Sequence, residues 1–250
     1  MGIIVKSPQE IEIMRQAGRI VAAILEVLVR RIKPGVITEE LDTVTARELS
    51  RHGATSSFKG YRGFPAYLCV SVNDELVHGI PGKRVIEEGD IVSLDMGAVC
   101  HGFHGDAALT VGVGKVSIQA EQLLEATEGA LKAGIARAQS GARLGDISAA
   151  IQSFAESRGF SVVREYVGHG IGREMHEDPQ IPNFGSPGQG PLLQRGMTLT
   201  LEPMVSAGVW RTKVGGDGWT VSTADGSLCA HFEHTIAIND GEAEILTRLE

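Results

Sequence analysis

The stretch Asp90-Ile91-Val92-Ser93-Leu94-Asp95-Met96-Gly97-Ala98 alternates between two kinds of side chain. Val92, Leu94, Met96 and Ala98 form one row; Ile91, Ser93, Asp95 and Gly97 form the other. A period of two predicts a strand with one apolar face and one face that carries a carboxylate. Burying that carboxylate unpaired is expensive, so Asp95 needs water, a positive partner or a metal ion. The segment His104-Gly105-Asp106-Ala107-Ala108-Leu109-Thr110-Val111 returns in similar alternation and carries a second acid, Asp106. Two strands joined by a short glycine-containing loop bring both aspartates to one side. Like charges repel there unless a cation sits between them.

The same pattern recurs farther on. In Gly196-Met197-Thr198-Leu199-Thr200-Leu201-Glu202-Pro203, apolar Met197, Leu199 and Leu201 alternate with Thr198, Thr200 and Glu202. Glu202 stands where Asp95 stands in the first copy, and Thr200 where Ser93 stands. Pro203 donates no ladder hydrogen bond, which marks a strand end or edge. The last strand, Cys229 to Ile238, places Glu233 with His231 and Thr235 on one face. Each half thus offers a pair of strand carboxylates: Asp95 with Asp106, and Glu202 with Glu233.

Helices precede each pair. Ser7-Pro8-Gln9-Glu10 reads as a capping box with proline in the first turn, and apolar residues keep helical spacing up to Pro34-Gly35. A second helix is expected from a cap at Thr38 to His52-Gly53, a third from Glu121 to Ala138, and a fourth from Gly145-Asp146 to Arg158-Gly159. The interval from Gly35 to Gly53 equals that from Gly141 to Gly159, and Asp95 follows Gly89 as Glu202 follows Gly196. The expectation is an α+β fold made of two repeats, roughly residues 8–111 and 117–238. They form one domain, 1–250, in which the carboxylate strands meet at the centre of one curved sheet.

Composition bounds the function. The 250 residues carry a net charge of −8 with no basic run, which argues against DNA or RNA as the ligand. No apolar run is long enough to span a membrane, and Met1 to Pro8 lacks the features of a secretory signal. Three cysteines, widely spaced and odd in number, point to a reducing, cytoplasmic setting rather than a disulfide framework. Four converging acids require cations. Two divalent ions (Mn, Fe, Co or Zn) suit oxygen-rich ligation with one histidine, and no thiolate site is on offer. Ions about 3.5–4 Å apart turn a shared water into a nucleophile at neutral pH. Three histidines flanked by glycine or proline are the further candidates: His169 in Gly168-His169-Gly170, His176 before Glu177-Asp178-Pro179, and His78 before Gly79-Ile80-Pro81. His52 and His101 lack such company and read as structural, while His104 stays open between the two roles.

With these residues in hand, the chain resembles the type I methionine aminopeptidases, a pita-bread metallopeptidase family. The likeness runs over nearly the whole length. It is carried by Asn73-Asp74-Glu75-Leu76-Val77-His78-Gly79-Ile80-Pro81, Asp95-Met96-Gly97-Ala98, His104-Gly105-Asp106, Gly168 to Gly172, Met175-His176-Glu177-Asp178-Pro179, Leu201-Glu202-Pro203-Met204 and Phe232-Glu233-His234-Thr235. The resemblance implies a pseudo-twofold pita-bread fold with a mostly antiparallel sheet, and five metal ligands: Asp95, Asp106, His169, Glu202 and Glu233. Our choice of base for the attacking water is Glu202; the resemblance implies that His78 and His176 contact substrate. It also implies an apolar pocket for a methionine side chain at Tyr61, Phe64, Cys69, Met175 and Trp219. The expected activity is removal of the initiator methionine from nascent chains and peptides, preferably before a small second residue. The enzyme is expected to be monomeric and to meet its substrates transiently at the ribosome.

Three departures stand out: His231 where many relatives carry Gln, Arg62 at the pocket rim, and Met175 for a frequent aromatic. Neither a zinc-finger-like extension nor the helical insertion of type II enzymes is present in the sequence, which fits the minimal bacterial form. Two rivals share the fold: a proline-directed peptidase (aminopeptidase P or prolidase), and a non-catalytic binding protein that has lost its ligands.

Overall fold

Ser7 and Glu10 close a reciprocal capping box. The Ser7 hydroxyl accepts from the Glu10 N–H, and the Glu10 carboxylate accepts from the Ser7 N–H, which satisfies two donors that a helix start leaves free. Helix α1 (Pro8–Val29) follows and buries Met14, Ala17, Val21, Ile24 and Leu28. This computed structural model describes residues 2–249, so the expected domain limits extend one residue beyond it at each end. Helix α2 spans Thr38–Arg51. The first-half strands are β1 (Thr55–Ser56), β2 (Cys69–Val72), β3 (Glu75–Val77), β4 (Ile91–Cys100) and β5 (Phe103–Gly112).

The second half repeats the order. It opens with α3 (Ile118–Ile135) and α4 (Leu144–Glu156), followed by β6 (Ser161–Val162), β7 (Gly168–Gly170) and β8 (Glu177–Ile181). Next come β9 (Thr198–Leu201), β10 (Met204–Ser206), β11 (Thr212–Val214) and β12 (Val221–Thr223). The chain finishes with β13 (Cys229–His231), β14 (Glu233–Ala237) and β15 (Glu244–Ile245).

The main sheet runs β1-β4-β5-β14-β9-β7-β8, with β2 on β4 and β15 on β14, and its named pairings are antiparallel. The two halves meet where β5 pairs with β14, Glu233 opposite Ala108. Strands β4 and β5 are joined by His101-Gly102, both in the left-handed region at φ 48° and 78°, the geometry a two-residue primed turn requires. The apolar row Val92, Leu94, Met96 and Ala98 packs beneath α1 and α2 with Val21, Leu28 and Leu41. Helices α3 and α4 pack with β9 and β14 around Leu123, Ile147, Leu199 and Ile236. The opposite face of the sheet, with Asp95 on it, is left to the site.

Some helix ends differ from expectation. Thr38 does not cap α2: Ile37 holds that place without a side-chain bond, because the Thr38 hydroxyl exchanges bonds with the backbone of Gly82. Helix α3 begins three residues earlier than expected, at Ile118, since Ser117 caps it by accepting from the Ala120 N–H.

Gly18, mid-helix in α1, faces the C-terminal segment so closely that a Cβ there falls 2.2 Å from the Leu246 carbonyl oxygen. Backbone on both sides leaves little room to yield. Gly18→Ala is expected to cost about 1–3 kcal/mol through overpacking, read as a lower urea midpoint with an unchanged slope.

Candidate metal centre and pocket

Register alone explains why the acids meet. Asp95 pairs with Ala108 and Asp106 with Gly97, so the two aspartates lie diagonally on the same face of the β4–β5 ladder. Glu233 pairs with that same Ala108 from the other side. Glu202 follows β9 directly and is released from the ladder at Pro203, as the sequence predicts. His169 is the middle residue of β7, whose Gly170 pairs with Leu199 of β9.

The glycines flanking His169 sit where backbone from adjoining strands comes close. A Cβ at Gly168 would sit 2.4 Å from the Thr200 carbonyl oxygen, and one at Gly170 would sit 2.2 Å from that of Asp178. They let the neighbouring strands approach.

Asp106, His169 and Glu233 each present a ligand atom within 4.8 Å of the others, and all three are buried. His169 Nε2 lies 3.6 Å from Glu202 Oε1, and that oxygen also accepts from the Thr200 hydroxyl at 3.0 Å. His169 Nδ1 is held against its own strand by the Gly170 carbonyl at 2.9 Å, which leaves Nε2 to face the acids. Burial, then Asp106 and Glu202, push the Asp95 carboxyl well above its ordinary range. Burial, then Asp106, does the same to Glu202, and burial with three acid neighbours to Glu233. Asp106 is raised by burial to about 7. Conversely, burial and then the neighbouring His176 bring His169 down to about 3, so it is neutral and free to ligate.

These shifts state how poorly the polypeptide alone accommodates the cluster. Asp95 Oδ1, Asp106 Oδ1 and Glu233 Oε1 are buried without a hydrogen-bond partner among the described residues. An unmet buried polar group costs about 1–3 kcal/mol, more if charged. Neutralisation by divalent cations is the arrangement these donors fit: carboxylates with one imidazole, no thiolate, and orphaned oxygens turned inward.

Above the cluster opens a cavity of about 200 Å³ that Asp95, Asp106, His169, Glu202 and Glu233 all line. All five expected pocket residues line it as well, and they form one apolar group with Phe58 and Ile80: Phe64, Cys69 and Met175 are buried, Tyr61 and Trp219 partly so. Phe64 packs edge-on against Trp219, ring centroids 5.1 Å apart. Cys69, opposite Asp95 in the ladder, has its thiol pushed up by burial and then by Asp95, so it serves as an inert apolar wall.

His78 and His176 stand at the mouth. His78 adopts φ 60°, a left-handed conformation uncommon outside glycine, and its ring meets Tyr166 edge-on. His176 stacks on Tyr61, whose hydroxyl lies 2.9 Å from Nδ1. Burial, then Arg62, lowers His176 toward about 4; its ring is exposed at the rim, so solvent screens part of that depression. His104 Nδ1 lies 2.8 Å from the Ser57 hydroxyl, and the residue is not among those that line the cavity.

Sequence reasoning missed five lining residues: Phe58, Val77, Tyr166, Val167 and Met204. Tyr166 has a visible signal, three residues before His169, whereas Phe58 and Val77 look like ordinary core. Asn183 was also missed: its side-chain amide donates to the Glu202 carbonyl at 3.0 Å and steadies that residue's backbone.

The loop that carries Met175 and His176 is tied to the N-terminal segment by Lys6 and Glu177, an ion pair whose side chains are 3% and 5% exposed. Lys6→Met leaves the carboxylate buried and uncompensated. The expected loss is about 3–5 kcal/mol of stability, measured by chemical denaturation, with Glu177→Gln in the same chain recovering part of it.

A family model for metallopeptidase family M24 matches residues 12–240. The chain belongs to that metallopeptidase family. Within it, the chain is 56% identical over 247 residues to methionine aminopeptidase 1 of Bacillus subtilis, covering 99% of this chain and all of that one. The crystal structure of methionine aminopeptidase from Thermotoga maritima superposes with a TM-score of 0.98 at 50% identity, covering 99% and 100% of the two chains. Prolidase from Pyrococcus furiosus shares the fold, with a TM-score of 0.81 at 23% identity, and this chain spans 66% of its length.

Proposed function

We propose that this protein is a methionine aminopeptidase that cleaves the first peptide bond of proteins and peptides beginning with methionine. One observation carries the reading: an apolar pocket built from Tyr61, Phe64, Cys69, Met175 and Trp219 ends on a buried cluster of acids and one imidazole. Full-length likeness to methionine aminopeptidases supports it over a proline-directed peptidase, and all five expected ligand positions carry ligating side chains, which counts against a non-catalytic binding protein.

Asp95, Asp106, His169, Glu202 and Glu233 are the residues to hold two divalent ions of the Mn, Fe, Co or Zn type. When bound, such ions supply an acidified water that is nucleophilic at neutral pH. The rest is done by the chain. Glu202 takes the proton of that water as its oxygen bonds to the carbonyl carbon, then passes it to the leaving nitrogen as the C–N bond breaks. In the tautomer whose Nδ1 accepts from the Tyr61 hydroxyl, 2.9 Å away, His176 keeps an Nε2–H to donate to the carbonyl oxygen as charge grows there. His78 meets the scissile amide region. The apolar wall excludes water and selects an unbranched apolar side chain, for which flexible Met175 is a suitable neighbour. His78, His176 and Tyr61 crowd the mouth, which favours a small second residue.

The same reading takes the enzyme as a cytoplasmic monomer that meets nascent chains, transiently at the ribosome. Three cysteines without a disulfide support the reducing compartment. Among the described residues, no helix is long and apolar enough to cross a membrane. The test is hydrolysis of a Met-Gly-Met peptide against an Xaa-Pro peptide, with and without chelator. Metal-dependent release of methionine from the first alone is expected; cleavage of the Xaa-Pro bond instead would assign the protein to the proline-directed group.

A further inference from the structure

His231 ends β13 with its ring aimed into the cavity. It is 2% exposed, and neither ring nitrogen has a hydrogen-bond partner among the described residues. Nothing about its backbone is loose. The His231 N–H donates to the Thr110 hydroxyl at 2.9 Å, and the His231 carbonyl accepts from that hydroxyl at 2.8 Å. Thr235 holds the backbone of Asp106 by the same two bonds, at 3.0 and 2.8 Å. Position 231 is therefore in the second half what position 106 is in the first, which explains why its side chain points at the acids.

The ring nevertheless lies outside the compact donor group of Asp106, His169 and Glu233. What it faces is Glu202, with Nε2 at 4.0 Å from Oε2. The other Glu202 oxygen is already engaged, by the Thr200 hydroxyl at 3.0 Å and by the His169 ring at 3.6 Å. Oε2 is the oxygen left to receive a proton.

We propose that His231 is a positioning residue for Glu202, its Nε2–H holding Oε2 toward the water whose proton that oxygen takes. The inference rests on the assignment of Glu202 as base. Closing the gap by about 1 Å, or bridging it with one water, makes the hydrogen bond. The water proton moves to Oε2 while the new C–O bond forms, and on to the leaving nitrogen while the C–N bond breaks. His231 keeps its own proton throughout.

Replacing His231 by Leu or Met removes the donor and keeps an apolar group of fitting size, whereas His231→Gln keeps an N–H within reach. With the metal-loaded enzyme and a Met-Gly-Met peptide, the two apolar variants are expected to lose about 10- to 100-fold in kcat. KM, metal content by elemental analysis and Tm are expected to stay near those of the parent, and the Gln variant to recover most of kcat. Unchanged turnover in the apolar variants, a loss carried by KM or metal content, or a Gln variant as slow as the Leu variant overturns the proposal. Combination with Glu202→Gln separates the two assignments. If His231 acts through Glu202, the double variant is no slower than Glu202→Gln alone. A slow Glu202→Gln enzyme that His231→Leu slows further by its full factor removes the role of His231 only. A Glu202→Gln enzyme at full rate removes the base itself.

Discussion

Glu202→Gln is expected to lower kcat by about 10²- to 10⁴-fold, the range typical of removing a positioned general base. The substitution is nearly isosteric, and the amide oxygen still accepts from the Thr200 hydroxyl that holds Oε1 at 3.0 Å. Fold and pocket are therefore retained. What disappears is the negative charge and the oxygen able to take up a proton. Because Glu202 is also a proposed ligand, the assay needs saturating metal and a parallel measurement of metal content. Metal content equal to the parent's with turnover lost identifies the proton step; near-parental rates in a fully loaded variant would dismiss Glu202 as base.

Removal of metal is expected to abolish turnover, with recovery on adding back a divalent ion. It should also leave a pH signature in stability that needs no substrate. Burial raises the Asp106 carboxyl to about 7, and Asp95, Glu202 and Glu233 move in the same direction. An acid raised in the folded state holds a proton that the unfolded chain has already released, so folding is favoured where the folded form is protonated. That contribution is fully present below the unfolded carboxylate range of about 4 and is lost as pH rises through about 7. The Tm of metal-free protein should therefore fall between pH of about 5 and about 8. The gain in Tm from saturating metal should be larger at the upper end, where binding no longer has to displace protons. Equal melting of the metal-free protein across that window would mean that the acids are not packed together as described.

Most of the site was legible because strand alternation is a local rule with a global result. Asp95, Asp106 and Glu202 stand on faces that a period of two assigns without knowledge of the fold, and Glu233 follows from the same rule on the last strand. Pairing partners are another matter. That Ala108 sits between Asp95 and Glu233 depends on the register of β5 against both neighbours, and no short stretch encodes it. Helix ends were misjudged where tertiary contacts intervene. Thr38 has a good capping side chain, yet Gly82 occupies its hydroxyl. The pocket was half readable: Tyr61, Phe64 and Trp219 came through resemblance, but Phe58 and Tyr166 line the cavity for reasons of packing geometry that composition hides.

The junction of β5 with β14 has an effect beyond the chemistry it frames. Two threonine hydroxyls, Thr110 and Thr235, stitch the halves together at the spot where the acids crowd most densely. Electrostatic pressure and the mechanical seam thus coincide, and a bound cation would act as a rivet through both. Removing that cation should make the amide of Asp106 on β5, and that of His231 on the adjoining β13, the first near the seam to trade hydrogen with solvent, well before the outer strands loosen.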